Sequence, residues 1–301
     1  MPEAFLKTLH LKEPFRIAHG VSDERQVVRL LGDGAVGEAP FVPYYREDPV
    51  ETLACLQDGS CQPLTRAAGL ALDLFRLDQE PGPLWRRAEA QLGAGRPWGE
   101  VLACRSLGIP TDLPAFAERV REVSRQFRVL KLKLGSGDLA QDEAIVKTAC
   151  SVVAPGTVVF ADVNGGWSVD ETVTMVSRLQ GSGLVLIEQP IHHRLGVEGW
   201  RELKAQMPPD ALPLYADESA QNADDVQKLA GLVDGVNVKL LKCGTFQRAV
   251  EMIQTARKHH LGVILGCMIE SSIGTTAAAH LAPWADYVDV DGHLYLADDD
   301  Y

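Results

Sequence analysis

The chain has 301 residues, of which 46% are hydrophobic and 23% are charged, and this composition is typical of a folded globular protein. Its formal net charge of −12 at pH 7 argues against nucleic acid or an anionic membrane surface as the main partner. No apolar stretch is long enough to span a membrane, and the N-terminus lacks a signal-peptide core, so we expect a cytoplasmic protein. The sequence leaves the oligomeric state open, a homo-oligomer included.

The cysteines show no Cys-x-x-Cys spacing. They are Cys55, Cys61, Cys104, Cys150, Cys243 and Cys267. Scattered cysteines in apolar surroundings are typical of reduced core thiols rather than of a zinc site or a disulfide framework. We therefore expect reduced thiols, in keeping with a cytoplasmic location.

The first third of the chain predicts a small antiparallel sheet followed by helices. Alternating residues and turn signals indicate strands over 5–42, and the apolar spacing indicates a helix over 66–77. A stretch rich in glycine and proline, 92–99, then interrupts the pattern. We interpret residues 1–98 as an N-terminal α+β domain and residues 99–301 as a second domain.

In the second domain, short β-rich apolar runs alternate with helical stretches. This alternation is typical of an α/β fold in which helical crossovers join parallel strands. Eight such runs in about 190 residues favour a closed, TIM-like (β/α)8-type barrel over an open sheet. The alternative is a doubly wound sheet, but no Gly-x-Gly-x-x-Gly motif opens a helix after the first run. The predicted strands are 101–107, 129–134, 158–163, 184–188, 212–216, 235–240, 263–267 and 287–290.

The second predicted strand contains two lysines two residues apart, Lys131 and Lys133. In a strand this spacing points both ammonium groups to the same side, which must therefore be polar or contain negative charge. Taken alone, the pattern also fits an edge strand with a solvated lysine face. The residues at the ends of the later strands argue against that alternative.

Acidic residues end three successive predicted strands: Asp162, Glu188 and Asp217. Each one alone is typical of a loop residue or a helix cap. In a barrel, however, the C-terminal ends of the strands form one rim, so the three carboxylates converge and require a cation. Hard oxygen ligands of this kind suit Mg²⁺, and we predict one such ion.

A further lysine, Lys239, lies on the sixth predicted strand, nearly half a barrel away from Lys133. The two amines would face each other across the predicted metal site. A carbon acid bound there could lose an α-proton to one lysine and regain it from the other on the opposite face, through an enediolate stabilised by the metal. Lys131 would be the neighbouring cation that tunes Lys133 as a base.

Short motifs, in order and one per strand, make the chain resemble the enolase superfamily, in its muconate-lactonising-enzyme-like subgroup. They are Lys131-Leu132-Lys133, Asp162-Val163-Asn164, Glu188-Gln189-Pro190, Ala216-Asp217-Glu218-Ser219, Asn237-Val238-Lys239-Leu240 and Cys267-Met268-Ile269-Glu270-Ser271-Ser272. The resemblance implies a capping domain before the barrel and Mg²⁺ on the three carboxylates. It also implies a (β/α)7β form of the barrel, Lys133 and Lys239 as the acid/base pair, and Lys131 as their helper. Glu218 is not expected to be a ligand, because its side chain would point away from that of its neighbour Asp217.

The motif Asp289-Val290-Asp291-Gly292 resembles the Asp-x-Asp of dipeptide epimerases, whose two carboxylates hold the free α-ammonium group of the substrate. A pair of carboxylates on one side of a strand is a suitable clamp for an ammonium group. The alternative is a strand-end turn with aspartate before glycine. The resemblance thus implies a Mg²⁺-dependent isomerase that inverts the α-carbon of the C-terminal residue of a dipeptide.

The resemblance further implies which residues select the side chains of the substrate. Segment 15–22 takes the place of the mobile specificity loop of the family. The predicted substrate-binding residues, besides Asp289 and Asp291, are His19, Tyr44, Glu270 and Ser271. Epimerases that act on acidic C-terminal residues resemble one another in a loop arginine, and the chain has Gly20 there, which favours a neutral or apolar dipeptide.

Two features depart from the pattern of the family. Region 50–84 is short for the cap, so we expect a reduced helical part. Family members usually continue back to the cap where this chain ends. The acidic residues 298–300 are expected to be solvated because of their charge. The chain is therefore either a minimal member or one whose cap is poorly tied to the barrel.

Two other classes of function stay open at this point. A muconate cycloisomerase, a succinylbenzoate synthase or an N-acylamino-acid racemase would not need both Asp289 and Asp291. A non-catalytic binding protein could keep the metal site, but it would not require the two opposed amines of Lys133 and Lys239.

Overall fold

The computed structural model describes residues 2–42, 45, 47–58 and 65–300. It contains a three-stranded antiparallel sheet followed by an eight-stranded parallel sheet. The prediction of a TIM-like barrel with an N-terminal α+β capping domain is therefore confirmed. The predicted substrate-binding residue Tyr44 lies outside the described residues.

The capping domain is an antiparallel sheet covered by helices. Its strands are β1 (Glu3–Ile17), β2 (Gly20–Gly32) and β3 (Ala35–Pro40), and its helices are α1 (Pro49–Asp58), α2 (Arg66–Asp78) and α3 (Leu84–Leu92). The buried stripe of α2 packs on the sheet so closely that a Cβ at Gly37 would lie 2.1 Å from the carbonyl oxygen of Ala71. Only glycine allows this approach of helix and strand.

Eight parallel strands form the barrel, and each pairs with its neighbour in the sequence. They are β4 (Cys104–Leu107), β5 (Val129–Lys133), β6 (Val158–Asp162), β7 (Leu184–Glu188), β8 (Leu214–Ala216), β9 (Gly235–Val238), β10 (Gly262–Gly266) and β11 (Tyr287–Asp289). A parallel bridge between Ala103 and Val288 joins the first strand to the last and closes the barrel.

Helices connect the successive barrel strands on the outside. They are α4 (Leu113–Val123), α5 (Leu139–Val152), α6 (Val169–Leu179), α7 (Gly196–Gln206), α8 (Ala223–Leu229), α9 (Leu240–Cys243), α10 (Phe246–Lys258) and α11 (Ser272–Ala279). Both α9 and α10 lie between β9 and β10, so the arrangement is (β/α)7β, as predicted. The apolar faces of these helices and the outward side chains of the strands form one large core.

The interior of the barrel has an apolar layer with a polar layer directly above it. The apolar layer is a separate cluster formed by Cys104, Val129, Phe160, Leu186, Tyr215 and Ile264. Residues two positions further along a strand point to the same side, so Lys131, Asp162 and Glu188 lie one level higher in the barrel. The alternation of each strand therefore places charged side chains above a packed floor.

The acidic end of the chain contacts both domains, while Asp298 and Asp300 stay exposed to solvent, as expected. Asp299 Oδ2 accepts hydrogen bonds from the backbone N–H and the hydroxyl of Ser272, at 3.0 and 2.5 Å, at the start of α11. Arg29 Nη1 on β2 donates to Asp300 Oδ2 at 2.7 Å. Residues 298–300 thus link the cap to the barrel, and of the two alternatives the poorly tied cap is not observed.

Most of the described cysteines agree with the prediction of reduced thiols. Cys104, Cys150, Cys243 and Cys267 are free thiols, as predicted. Cys55 in α1 is disulfide-bonded, so the prediction is wrong there, because sequence spacing does not show which sulfur atoms meet in space.

Among the described residues, no helix combines the length and the apolar character needed to cross a membrane.

Candidate active site

The three predicted metal ligands meet at the C-terminal rim of the barrel. Asp162 ends β6, Glu188 ends β7, and Asp217 directly follows β8. One carboxylate oxygen of each residue lies within 4.8 Å of the others, and all three side chains are buried. The structure therefore brings the predicted ligands together.

The carboxylate cluster has the oxygen donor atoms that suit a hard divalent cation. Glu188 Oε2 and Asp217 Oδ2 are buried and accept no hydrogen bond, although Lys131 and Lys239 lie within ion-pair distance of them. Burial, together with the charge of Asp162, raises the pKa of Glu188 to about 8. The residues therefore fit a cation with oxygen ligands, because a cation would allow all three carboxyls to ionise together.

Lys131 lies at the centre of the polar layer. Its Nζ lies 3.0 Å from Asp162 Oδ2, 2.9 Å from Glu188 Oε2 and 2.9 Å from Asp289 Oδ2, and the residue is only 1% exposed. Burial alone would lower the pKa of Lys131, but these carboxylates outweigh it and raise the pKa well above its ordinary value. Lys131 is therefore a fixed cation below the rim, and the alternative of a solvated lysine face is wrong.

Lys133 lies one step closer to the mouth of the barrel. Its Nζ is 2.6 Å from Asp162 Oδ2 and 3.3 Å from Asn164 Oδ1. The residue is buried but lines a cavity over the rim. Asn164 follows β6 with a φ of 48°, in the left-handed region that asparagine tolerates better than most residues, so its amide can face Lys133.

Lys239 occupies the opposite side of the carboxylate cluster. It directly follows β9, four strands around the barrel from β5, and its Nζ lies 2.7 Å from Asp217 Oδ2. Lys239 and Lys133 line the same cavity, and each contacts a different predicted metal ligand. The two amines therefore flank the cluster from opposite sides, as predicted.

Sequence reasoning missed a fourth lysine of the site. Lys242 in α9 is buried, and its Nζ donates at 2.6 Å to the backbone oxygen of Asp217, to Asp217 Oδ1 and to the backbone oxygen of Asn237. Lys239 precedes α9 and has an extended backbone, so no helical spacing relates the two lysines. No signal in the sequence therefore reveals Lys242.

Glu218 and Asn237 lie beside the cluster. Asn237 Nδ2 donates to Glu188 Oε1 at 2.7 Å and orients this ligand. Glu218 was not expected to be a ligand, and it is not part of the three-carboxylate group; it is buried, and its Oε1 accepts a hydrogen bond from Asn164 Nδ2 at 3.1 Å. Burial and the charge of Asp217 raise the pKa of Glu218 to about 7.

Both aspartates of the Asp-x-Asp motif line the cavity. Ser106 Oγ donates to Asp289 Oδ1 at 2.8 Å, and Lys131 holds the other oxygen of Asp289. Asp291 Oδ2 accepts hydrogen bonds from the backbone N–H of Ser106 at 2.8 Å, from Tyr295 Oη at 2.9 Å and from Arg105 Nη1 at 3.1 Å. Sequence reasoning did not find these partners of Asp291, which lie on β4 and after β11.

His19 lies at the tip of the β1–β2 hairpin, near the mouth of the barrel. Its ring centroid is 6.3 Å from that of His192, which belongs to the loop after β7. The hairpin residues Phe15 and Ile17 line the cavity beside the lysines. The cap therefore provides part of the cavity wall, and a contact of His19 with substrate stays a prediction.

Glu270 and Ser271 follow β10. Glu270 is buried, its Oε1 accepts a hydrogen bond from the backbone N–H of Met268 at 3.2 Å, and burial raises its pKa to about 8. Ser271 Oγ donates to Glu38 Oε1 of the cap at 2.6 Å and caps α11 by accepting a hydrogen bond from the backbone N–H of Ile273. These contacts tie the cap to the barrel, and substrate binding by either residue stays a prediction.

A family model described as "Enolase C-terminal domain-like" matches residues 115–299, which is more than half of the chain. The chain belongs to this family. Residues 115–299 include the three carboxylates, the lysines of the site and both aspartates of the Asp-x-Asp motif. The enolase resemblance drawn from the motifs is therefore confirmed.

Other members of the enolase family resemble the chain in sequence. An L-Ala-D/L-amino acid epimerase from Pedosphaera parvula is 42% identical over 180 residues, which cover 59% of this chain and 50% of the relative. A hydrophobic dipeptide epimerase from Roseobacter litoralis is 35% identical over 238 residues, which cover 77% of this chain and 65% of the relative. The matched part of the chain thus spans about half to two thirds of the length of these relatives.

Solved structures of enolase-family members superpose on nearly the whole chain. A dipeptide epimerase from Enterococcus faecalis, complexed with Mg and the dipeptide L-Leu-L-Tyr, has a TM-score of 0.85 and 25% identity, covering 99% of this chain and 92% of the other. A dipeptide epimerase from Methylococcus capsulatus, complexed with Mg and L-Arg-D-Lys, has a TM-score of 0.82 and 26% identity, with 99% and 92% covered. The muconate lactonizing enzyme of Pseudomonas fluorescens, at 23% identity and a TM-score of 0.81, shares the fold.

Proposed function

We propose that the chain is a Mg²⁺-dependent dipeptide epimerase that inverts the α-carbon of the C-terminal residue of its substrate. The observation that carries the proposal is the position of Lys133 and Lys239 on opposite sides of the carboxylate cluster, with both amines lining one cavity. Inversion needs a proton donor on one face of the α-carbon and an acceptor on the other. Named dipeptide epimerases among the relatives support the same function.

Each group near the α-carbon has a separate task in this proposal. Bound at Asp162, Glu188 and Asp217, Mg²⁺ would supply a positive charge that stabilises the enolate form of the substrate carboxylate. Lys133 removes the α-proton from one epimer while Lys239 donates a proton to the opposite face, and the two amines exchange roles for the reverse reaction.

Lys131 and Lys242 support the reacting lysines without touching the α-carbon. Lys131 is a buried cation that neutralises carboxylates below the rim and adds positive potential beside Lys133. Lys242 holds Asp217, which in turn contacts Lys239. These contacts fix the separation of the two bases, on which the geometry of proton transfer depends.

Asp289 and Asp291 favour a substrate with a free ammonium group, and therefore a dipeptide. The carboxylates lie at the end of the cavity next to Lys131 and provide negative charge on the N-terminal side of the substrate. One observation favours an N-acylamino-acid racemase as a second candidate: Arg105 already forms an ion pair with Asp291, and Tyr295 donates a hydrogen bond to it. An N-acyl substrate would need no ammonium clamp.

Hydrogen–deuterium exchange tests the proposal. The protein would be incubated with Mg²⁺ and pools of L,L-dipeptides in D₂O, and the products analysed by mass spectrometry. We expect a one-unit mass gain at the α-carbon of the C-terminal residue, and no gain with the double variant Lys133→Met, Lys239→Met. Exchange with N-succinyl amino acids but with no dipeptide would support the racemase, and silence with both would contradict enzymatic proton transfer.

A further inference from the structure

A second cavity opens beside the Asp-x-Asp end of the candidate site. It has a volume of about 390 Å³ and lies between the β1–β2 hairpin of the cap and the loop that follows β4. Phe15, Ser106 and Tyr295 line both this outer cavity and the site cavity. The rings of Phe15 and Tyr295, with centroids 4.6 Å apart, stand at this shared boundary. The outer cavity is therefore next to the place where the substrate ammonium would lie.

The charged side chains that line the outer cavity are mainly cationic, although the whole chain carries a net charge of −12. Arg16, Arg105 and Arg119 line it, and Glu13 is the acidic residue among its lining residues. Arg119 also contacts Glu122 on the surface of α4, at 3.2 Å. A cavity with this charge attracts an anion in preference to a neutral or cationic group.

Arg105 is the arginine best placed to bind such an anion directly. It is only 8% exposed, its Nη1 donates to Asp291 Oδ2 at 3.1 Å, and its guanidinium stacks on the ring of Tyr295 at 4.0 Å. These two contacts fix the plane of the guanidinium. A guanidinium has several N–H groups in one plane, so a single hydrogen bond from Nη1 leaves donors with which it can bind a carboxylate.

The outer cavity lies where the N-terminal, or N-acyl, half of the substrate would be bound. If the α-ammonium group lies at Asp289 and Asp291, the side chain of the N-terminal residue begins beside Ser106, at the boundary of the two cavities. Resting on the proposed function, we infer that the outer cavity binds a carboxylate on the N-terminal half of the substrate, with Arg105 as its direct partner. The preferred substrates therefore carry an acidic group there, whereas the C-terminal residue is selected elsewhere.

The carboxylate could come from two sources that share this chemistry. An acidic N-terminal residue provides a side-chain carboxylate and keeps the ammonium group. An N-succinyl group provides a carboxylate and has no ammonium group. Two matched pairs separate these sources: L-Glu-L-Leu with L-Gln-L-Leu, and N-succinyl-L-leucine with N-butanoyl-L-leucine. The members of each pair have similar length and differ in the charged group.

The experiment measures kcat/KM for α-proton exchange with both members of each pair. We expect the wild-type protein to favour the charged member of at least one pair by about tenfold or more, as for a hydrogen-bonded charge pair. Arg105→Gln should bring this ratio close to one, and Arg119→Gln should reduce it in part. Arg121→Gln is the matched control, because Arg121 is a partly exposed arginine of the same helix that does not line the cavity. The ratio of two substrates on one variant is independent of the amount of folded protein.

The outcomes distinguish this inference from the proposed function. Exchange with dipeptides or acyl amino acids, but without preference for the charged member of either pair, would overturn the inference and leave proton transfer intact. A preference that survives unchanged in Arg105→Gln and in Arg119→Gln would overturn it as well. Absence of exchange with every compound, neutral members included, would instead contradict the proposed function. If Arg105→Gln does not fold, Arg105→Lys serves in its place and should keep a reduced preference, since it retains the charge without the planar fork.

Discussion

Lys242 Nζ lies 2.6 Å from both the side-chain Oδ1 and the backbone oxygen of Asp217. The same amine donates to the backbone oxygen of Asn237, also at 2.6 Å. One buried lysine therefore joins the loop after β8 to the end of β9 and holds a proposed metal ligand from two sides. Its three acceptors lie within the barrel rim, so no water is needed to satisfy it.

Replacement of Lys242 by methionine should destabilise the metal-free protein by about 3 kcal/mol, because it leaves the buried carboxylate of Asp217 without one of its cations. The free energy of unfolding in urea measures this effect. Lys228→Met is a matched control, since Lys228 is an exposed lysine of α8 with a single partner at 3.4 Å, and we expect a change under about 0.5 kcal/mol there. Equal stabilities of the two variants would show that Lys242 does not hold Asp217.

Metal binding should release a proton, because the carboxyl of Glu188 is mostly protonated near pH 7 in the metal-free protein. Burial and the charge of Asp162 raise its pKa to about 8, and a cation requires the ionised form. The apparent affinity for Mg²⁺ should therefore rise by up to about tenfold per pH unit until pH 8 and then level off. Calorimetry near pH 7 in two buffers with different ionisation enthalpies should show about one proton released per ion bound, and no dependence on the buffer would contradict this.

Glu270 should make the stability of the protein fall as the pH rises. Burial raises its pKa to about 8 from an ordinary value of 4.5, so its stabilising effect is complete below 4.5 and is lost as the pH rises through 8. Between these two pKa values the free energy of unfolding of the wild type should fall by about 1.4 kcal/mol per pH unit. A neutral side chain at this position removes this dependence. Glu270→Gln should therefore gain stability relative to the wild type between pH 6 and pH 9.

Unfolding free energies across this pH range test the prediction for Glu270. The control is Glu118→Gln, since Glu118 is an exposed residue of α4 whose substitution should leave the pH profile unchanged. Parallel profiles for Glu270→Gln and the wild type would mean that Glu270 is ionised in the folded protein at neutral pH.

The barrel and its metal ligands could be predicted because both follow from local pattern. Alternation of two residues along a strand places Lys131 above Val129 and Asp162 above Phe160, so a polar layer above an apolar floor is visible in the sequence. Acidic residues at the ends of successive strands then meet at one rim. This meeting can be predicted without knowledge of the loop conformations. The opposed positions of Lys133 and Lys239 could be predicted from the number of strands between them.

The remaining parts of the site depend on contacts that no local pattern shows. Arg105 and Asp291 are 186 residues apart in sequence and meet because the first and last strands close the barrel. Lys242 uses backbone oxygens, which every residue has, so its acceptors leave no trace in the sequence. Asp299 is 27 residues from Ser272 in sequence and reaches it only through the path of the last residues.

The central claim is that Lys133 and Lys239 act on opposite faces of one α-carbon, and single variants in D₂O test it most directly. With a dipeptide substrate and Mg²⁺, Lys133→Met and Lys239→Met should each abolish epimerisation. Each variant should still exchange the α-proton of one C-terminal epimer, and the two variants should exchange opposite epimers. Exchange of both epimers by either variant, or of the same epimer by both, would contradict the account.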